Sequence, residues 1–155
     1  KNLKILSGFY GILNATDGVV PYRLEMQTRV GIDGAKDLYD FWGDSLYRRI
    51  ADEVREDVSE GIEPIILNLA SKEYSQAVEP FVEANIRFVT CVFAEYSGDK
   101  LITKGTKAKM ARGQMVAFLA NEHAQDLNVV KQVSGMGFRY SEEHSSEKEM
   151  MFIQV

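Results

Sequence analysis

The sequence predicts an α/β (α+β) fold, a mixed β-sheet with flanking helices, and three observations carry that prediction. Short apolar runs of strand length, such as "EPIILNLA" and "IRFVTCVFA", recur along the chain. Between them lie segments whose apolar residues return every three or four positions, the period of a helix with one buried face. The 155 residues are 45% hydrophobic and 26% charged, which suffices for one core, so a single domain over 1–155 is expected.

In chain order, "LKILSGFYGIL" alternates and then gains two glycines, predicting a strand that opens into a tight turn. "VVPYRLEMQTRVG", Val19 to Gly31, is readable as an edge strand or as the wall of a binding site, because proline is tolerated at sheet edges and holds the chain extended. Leu38, Trp42, Leu46, Ile50 and Val54 recur every four residues and predict an amphipathic helix capped by Asp37, with close packing or a bend at Gly43. "EPIILNLA" predicts a buried strand, and "SKEYSQAV" a short helix capped by Ser71. Two β-rich runs around Ser97, Gly98 and Asp99 predict a hairpin. From Gly105 to about His123 the apolar residues Ala108, Ala111, Met115, Phe118 and Leu119 share one helical face, and a second short helix is expected over Gln125 to Gln132. "GFRYSEE" and "EMMFIQV" predict two closing strands around an acidic, serine-rich loop.

Several function classes are excluded or left without support. No apolar run reaches the roughly 20 residues that span a bilayer, and the N-terminal segment lacks the apolar core of a secretory signal, so a cytoplasmic protein without membrane contact is expected. One cysteine, Cys91, cannot pair within the chain, and with only His123 and His144 beside it no Cys/His zinc site can be assembled. No metal and no cofactor is predicted. The chain starts without methionine, directly in an apolar segment, which reads as the loss of a preceding portion.

Charge is distributed unevenly. Lys100, Lys104, Lys107, Lys109 and Arg112 stand together with no acidic residue among them, contributing +5 to a total of −5 and leaving −10 on the remainder. Cations at the start of a helix oppose its macrodipole, which makes sense where an anion is bound, because free amides and lysines then point at the same phosphate. A solvated basic face is the competing explanation. Arg112 falls beside the apolar stripe rather than opposite it, and a half-buried arginine needs an acidic or phosphate partner. Asn68, at a strand end, and Ser71 stand where ligand crevices form in open α/β sheets, the preferred alternative being that Asn68 only satisfies backbone groups and Ser71 only caps its helix. "VSGMG", Val133 to Gly137, has the look of a helix-hairpin-helix turn but is followed by strand-like alternation. "SEEHSSE" offers His144 and carboxylates as possible iron contacts or a plain acidic loop.

"LSGFYGIL", "PYRLEM", "LYDFWGDSL", "LNLASKEY", "KMARGQM" and "SSEKEMMF" follow the order and spacing of one family, and the chain resembles the YaaA peroxide stress proteins over essentially its whole length. The resemblance implies that 1–155 is the C-terminal major portion of a longer protein, with a mixed α/β fold. It implies a cytoplasmic protein of the peroxide response that limits damage from unincorporated iron and binds double-stranded DNA in a positively charged cleft. The family's helix-hairpin-helix lies in the portion preceding Lys1, which counts against that reading of "VSGMG". Tyr22, Arg23 and Glu25 match one family segment, Asn68, Ser71, Glu73 and Tyr74 another, and Arg112 with Gly113 a third. The chain departs from the family at Ala117, where relatives often carry arginine, and at Glu142, Glu143 and His144, where they tend to have Asp-Glu.

Two readings follow. In the first, Arg23, Lys104, Lys107, Lys109 and Arg112 bind DNA phosphates in a cleft walled by Tyr22, Glu25, Asn68, Ser71 and Tyr74. In the second, the same cleft belongs to a nucleobase- or nucleotide-processing enzyme, with Glu25 or Glu73 as acid/base, Asn68 reading a base edge and Arg112 holding phosphate.

Overall fold

The structure, a computed structural model, describes residues 2–57 and 63–155. The chain divides into two compact units, Lys1–Ile66 with Ala70–Arg87, and Leu67–Leu69 with Phe88–Val155. Helices and strands intermix in the α/β manner that the periodicity predicts.

In the first unit, strands β1 (Lys4–Ser7) and β2 (Gly11–Asn14) pair antiparallel, with Ser7 opposite Gly11. Gly11 adopts φ +74°, a left-handed conformation in which a side chain is disfavoured, and a Cβ there would stand 2.9 Å from Cη2 of Trp42. The indole N–H of Trp42 in turn donates to the Gly8 carbonyl at 3.2 Å, so the tryptophan seals the turn against the rest of the unit.

The segment Val19–Gly31 is not an edge strand; no strand is formed there. It is pinned at two points instead. A Cβ on Gly8 would lie 2.8 Å from the Leu24 carbonyl oxygen, so only glycine lets the backbones approach this closely, and Met26 is fully buried. Backbone packing on a glycine and one apolar anchor replace the ladder that alternation alone suggested.

The long predicted helix is two helices, α1 (Leu38–Trp42) and α2 (Ser45–Asp57). Asp37 caps the first as expected, its carboxylate accepting from the Asp40 amide at 2.9 Å. Gly43, at φ +50°, supplies the break. Leu46, Tyr47 and Ala51 carry the buried face of α2, and the Tyr47 hydroxyl accepts the Glu83 amide at 3.0 Å. After β3 (Ile65–Asn68) comes the one-turn helix α3 (Lys72–Ser75). Ser71 occupies its N-cap position with extended backbone but makes no side-chain cap bond, so the expected capping role is not realised.

The second unit is built on β4 (Arg87–Ser97), β5 (Lys100–Ile102), helices α4 (Gly105–Asn121) and α5 (Leu127–Lys131), and strands β6 (Phe138–Ser141) and β7 (Glu149–Gln154). The sheet runs β3-β4-β7-β6, with β5 paired to β4 as the predicted hairpin. β4 and β7 are parallel, placing Cys91 beside Met150 and Phe93 beside Phe152, while β6 returns antiparallel to β7. Alternate residues Val89, Cys91 and Phe93 of β4 are buried, and Phe93 stacks on Phe152 at 5.1 Å and meets Phe138 edge-on at 5.4 Å. Ala108, Ala111 and Met115 of the predicted apolar face of α4 are buried, whereas Phe118 and Leu119, towards its C-terminus, are only partly covered. "VSGMG" leads from α5 into β6, with Gly135 bridged to Phe138, so it has no second helix and is not a helix-hairpin-helix.

Candidate functional site

In the first unit, the motif residues Tyr22, Glu25, Glu73 and Tyr74 come together. Tyr74 collects them: burial first, then the charge of Glu73, then Tyr22 and Glu25 push its phenol above the ordinary value, with a Met26 backbone hydrogen bond opposing. Tyr39 is raised likewise by burial and then by Glu73, and its hydroxyl donates to the Glu73 carbonyl at 2.9 Å. The Glu73 carboxylate accepts the Gln27 amide at 3.3 Å. Beside it lies an open depression of about 550 Å³, lined by Arg29, Asp37, Tyr39, Lys72 and Glu73. Arg23 is exposed and has no ion pair or hydrogen bond among the described residues.

The turn between β1 and β2 adds an aromatic group. Phe9, Tyr10 and Tyr22 form a triangle with ring centroids 4.9 to 5.4 Å apart. Buried Ser7 ties it together: its Oγ accepts the Phe9 and Tyr10 amides at 3.2 and 2.9 Å and is hydrogen-bonded to the Tyr22 hydroxyl. The sequence reading missed this cluster. Two adjacent aromatics inside a glycine-bounded turn were the available signal.

In the second unit, the basic segment resolves into different environments. Lys104 and Lys107 both pair with Glu95 of β4, Lys107 at 2.7 Å, and Lys107 also donates to the Gln154 side chain at 2.9 Å. Hydrogen bonds from Lys104 and then Lys107 hold the Glu95 carboxyl below its ordinary value. Lys100 and Lys109 are exposed and unpaired among the described residues. At 100° per residue Lys107 and Lys109 point about 160° apart, with Arg112 on the Lys109 side. The five cations are therefore not one patch: two answer a carboxylate, and Lys109 with Arg112 form a separate flank.

Arg112 is half-buried, and among the described residues its Nε is a buried donor without a hydrogen-bond partner. Loss of hydration lowers its pKa, with buried Cys91 nearby. Burial pushes the Cys91 thiol up to about 12, against the opposing pull of Arg112. Asn68 donates its side-chain amide to the Thr90 hydroxyl at 3.1 Å, the structural use of a strand-end asparagine. His144 bonds Ser141 at 2.8 Å, and among the described residues no three His, Cys, Asp or Glu side chains cluster as a metal would require.

Tyr22, Arg23, Glu25, Ser71, Glu73 and Tyr74 thus belong to the first unit, and Asn68, Lys104, Lys107, Lys109 and Arg112 to the second. Fold and side chains define a mixed α/β protein that carries a tyrosine- and carboxylate-rich face in one unit and a cation-bearing helix in the other. The family model "Peroxide stress protein YaaA" matches residues 1–144, and the chain belongs to this family. It is similar to a UPF0246 protein of Lachnoclostridium phytofermentans, 47% identical over 99% of this chain and 57% of that protein. A UPF0246 protein of Desulfitobacterium hafniense is 46% identical over 100% of this chain and 58% of that protein. One of Ligilactobacillus salivarius is 39% identical over 99% and 59%. The chain thus spans under two thirds of the length of these relatives. The resemblance read from "LSGFYGIL" through "SSEKEMMF" is the family relationship itself.

Proposed function

We propose that this chain is part of a cytoplasmic peroxide stress protein that binds double-stranded DNA and limits damage from unincorporated iron. The observation that carries the DNA-binding reading is Arg112, a desolvated guanidinium whose buried Nε lacks an acceptor among the described residues. A buried donor left unmatched is costly, and a phosphate oxygen is the acceptor that best fits a guanidinium. Unpaired Lys109 lies on the same flank of α4, and neither Asp nor Glu occurs from Gly105 to Asn121. Occupancy of DNA phosphates by such a protein would exclude loosely bound iron from the same oxygens.

The test is duplex binding by anisotropy across a salt series. The parent protein loses affinity as salt rises, and K109A with R112A flattens the slope by about 0.9 for each phosphate that is no longer neutralised. Salt-independent binding, or an unchanged slope in the double variant, refutes the reading.

A second reading, a nucleobase- or nucleotide-processing enzyme, is favoured by the gathering of Tyr22, Glu25 and Glu73 around Tyr74. One amide hydrogen of Asn68 is given to Thr90, so base reading by Asn68 would use the rest of its carboxamide. Release of free base or of phosphate from nucleotides, abolished by E73Q or E25Q, is its measurement. No turnover with either class of substrate rules it out.

A further inference from the structure

We propose that Phe9, Tyr10 and Tyr22 form a stacking platform for an unstacked nucleobase of single-stranded nucleic acid, a site separate from the duplex-binding flank of α4. Phe9 and Tyr22 are 55% and 41% exposed, yet neither ring is loose. The turn that carries Phe9 is held by both amide bonds to Ser7 and by the Trp42 bond to Gly8. Large apolar rings held rigid in water lower the entropy cost of any partner that stacks on them.

The polar atoms identify the occupant. Ser7 Oγ accepts two amides, which uses its acceptor capacity, so its own hydrogen is donated to Tyr22. The Tyr22 hydroxyl hydrogen is then free to donate elsewhere. Tyr10 is arranged alike: its oxygen accepts the Val20 amide at 3.1 Å, and among the described residues its hydrogen has no acceptor. A purely hydrocarbon surface would leave both donors unmatched. A planar base offers a π face to the rings and carbonyl or ring-nitrogen acceptors at its edge. Arg23, the residue after Tyr22, is an unpaired cation among the described residues and supplies the charge complement of the attached phosphate. A paired base has both faces stacked and its edge occupied, which restricts this platform to unpaired or extruded bases.

Trp42 is the chain's single tryptophan and lies under the platform turn, so its emission reports on the site. Oligothymidylate is titrated into the protein while Trp42 emission and anisotropy are followed, with a fully paired duplex in parallel. The parent protein shows a saturable emission change with oligothymidylate. Phe9→Leu keeps apolar bulk but removes the π face, and is expected to weaken oligothymidylate binding about tenfold while leaving the duplex affinity unchanged. Tyr22→Phe keeps the ring, loses the donor, and is expected to cost a smaller factor. The R112A variant behaves in the opposite sense, losing duplex and keeping oligothymidylate. Equal binding of oligothymidylate by Phe9→Leu and parent, or an equal loss for both nucleic acids, overturns the platform. Failure of duplex binding alone overturns only the reading of α4.

Discussion

Arg112→Met should make the protein more stable and a poorer DNA binder. In the native state the guanidinium is half-buried, desolvated, and short of one acceptor at Nε. A buried unsatisfied donor costs about 1–3 kcal/mol, and the half exposure of the remaining guanidinium argues for the lower end. Methionine follows the aliphatic stem of arginine along the apolar stripe of Ala108 and Met115 and carries no donor. Removing the cost while keeping most of the packing should raise the unfolding free energy by about 1 kcal/mol, or the melting temperature by about 2–4 °C for a chain of this size. Urea and thermal unfolding, each with and without duplex DNA, measure it. Duplex at a hundred times the parent's Kd stabilises the parent by about 2.7 kcal/mol and a variant that binds about tenfold more weakly by about 1.4 kcal/mol, so the order of stability reverses on adding DNA. Destabilisation of the free protein by about 1 kcal/mol or more would show that the guanidinium is an integral part of the fold, and the reasoning from an unmatched donor would fall.

Glu95→Gln should release Lys104 and Lys107 and tighten duplex binding at low salt, steepening the salt dependence by about 0.9 for each lysine recruited; an unchanged slope would show that neither reaches a phosphate. Because the Glu95 pKa is lowered by folding, its stabilisation is complete above the unfolded value near 4.5 and is lost as pH falls through the lower native value, and acid unfolding of E95Q should lack that component. Cys91, only 1% exposed and with its thiol near 12, should resist peroxide and thiol reagents in the native protein and react in urea; fast native modification would contradict its burial. Gly11→Ala should destabilise by more than about 1 kcal/mol, since it combines strained φ with a Cβ against the indole, and should shift the Trp42 emission.

The sequence carried most elements because their signals are local. Asp37 capped its helix, Gly43 interrupted the four-residue period, and Gly98 with Asp99 turned the hairpin. What escaped was nonlocal. Nothing in "VVPYRLEMQTRVG" records that Leu24 rests on Gly8, so alternation there read equally well as a strand. The partner of Lys104 and Lys107 was within reach of inference, because the hairpin register sets Glu95 opposite Ile102, two residues before Lys104. Reading charge by sequence windows kept that carboxylate out of the basic segment, although the turn folds it back. Ser71 shows the converse error, a favoured residue at the right position whose hydroxyl makes no cap bond. Tyr22 and Glu25 of one family motif and Glu73 and Tyr74 of another come together in the first unit, whereas the mutual packing of Phe9, Tyr10 and Tyr22 is nonlocal and leaves no periodic signal.

Net charge sharpens what DNA binding by this chain must look like. The first unit holds ten Lys and Arg against fifteen Asp and Glu, while the second holds eight of each. Neither unit is drawn to a polyanion by its total charge. In the second, five of the eight cations fall within Lys100–Arg112 and four of the eight acids within Glu142–Glu149, so its neutrality is the sum of segregated segments. If the chain binds DNA as proposed, attraction is short-ranged, arising where Lys100, Lys109 and Arg112 would meet phosphates directly, while pairing with Glu95 occupies the other two. Three neutralised phosphates correspond to a salt slope of about −3, far shallower than that of a protein with an extended basic face. Association should accordingly be slow and weakly steered, and the affinity should depend on the fit of Arg112 more than on the number of lysines. A slope much steeper than this would mean that cations other than these three carry the binding.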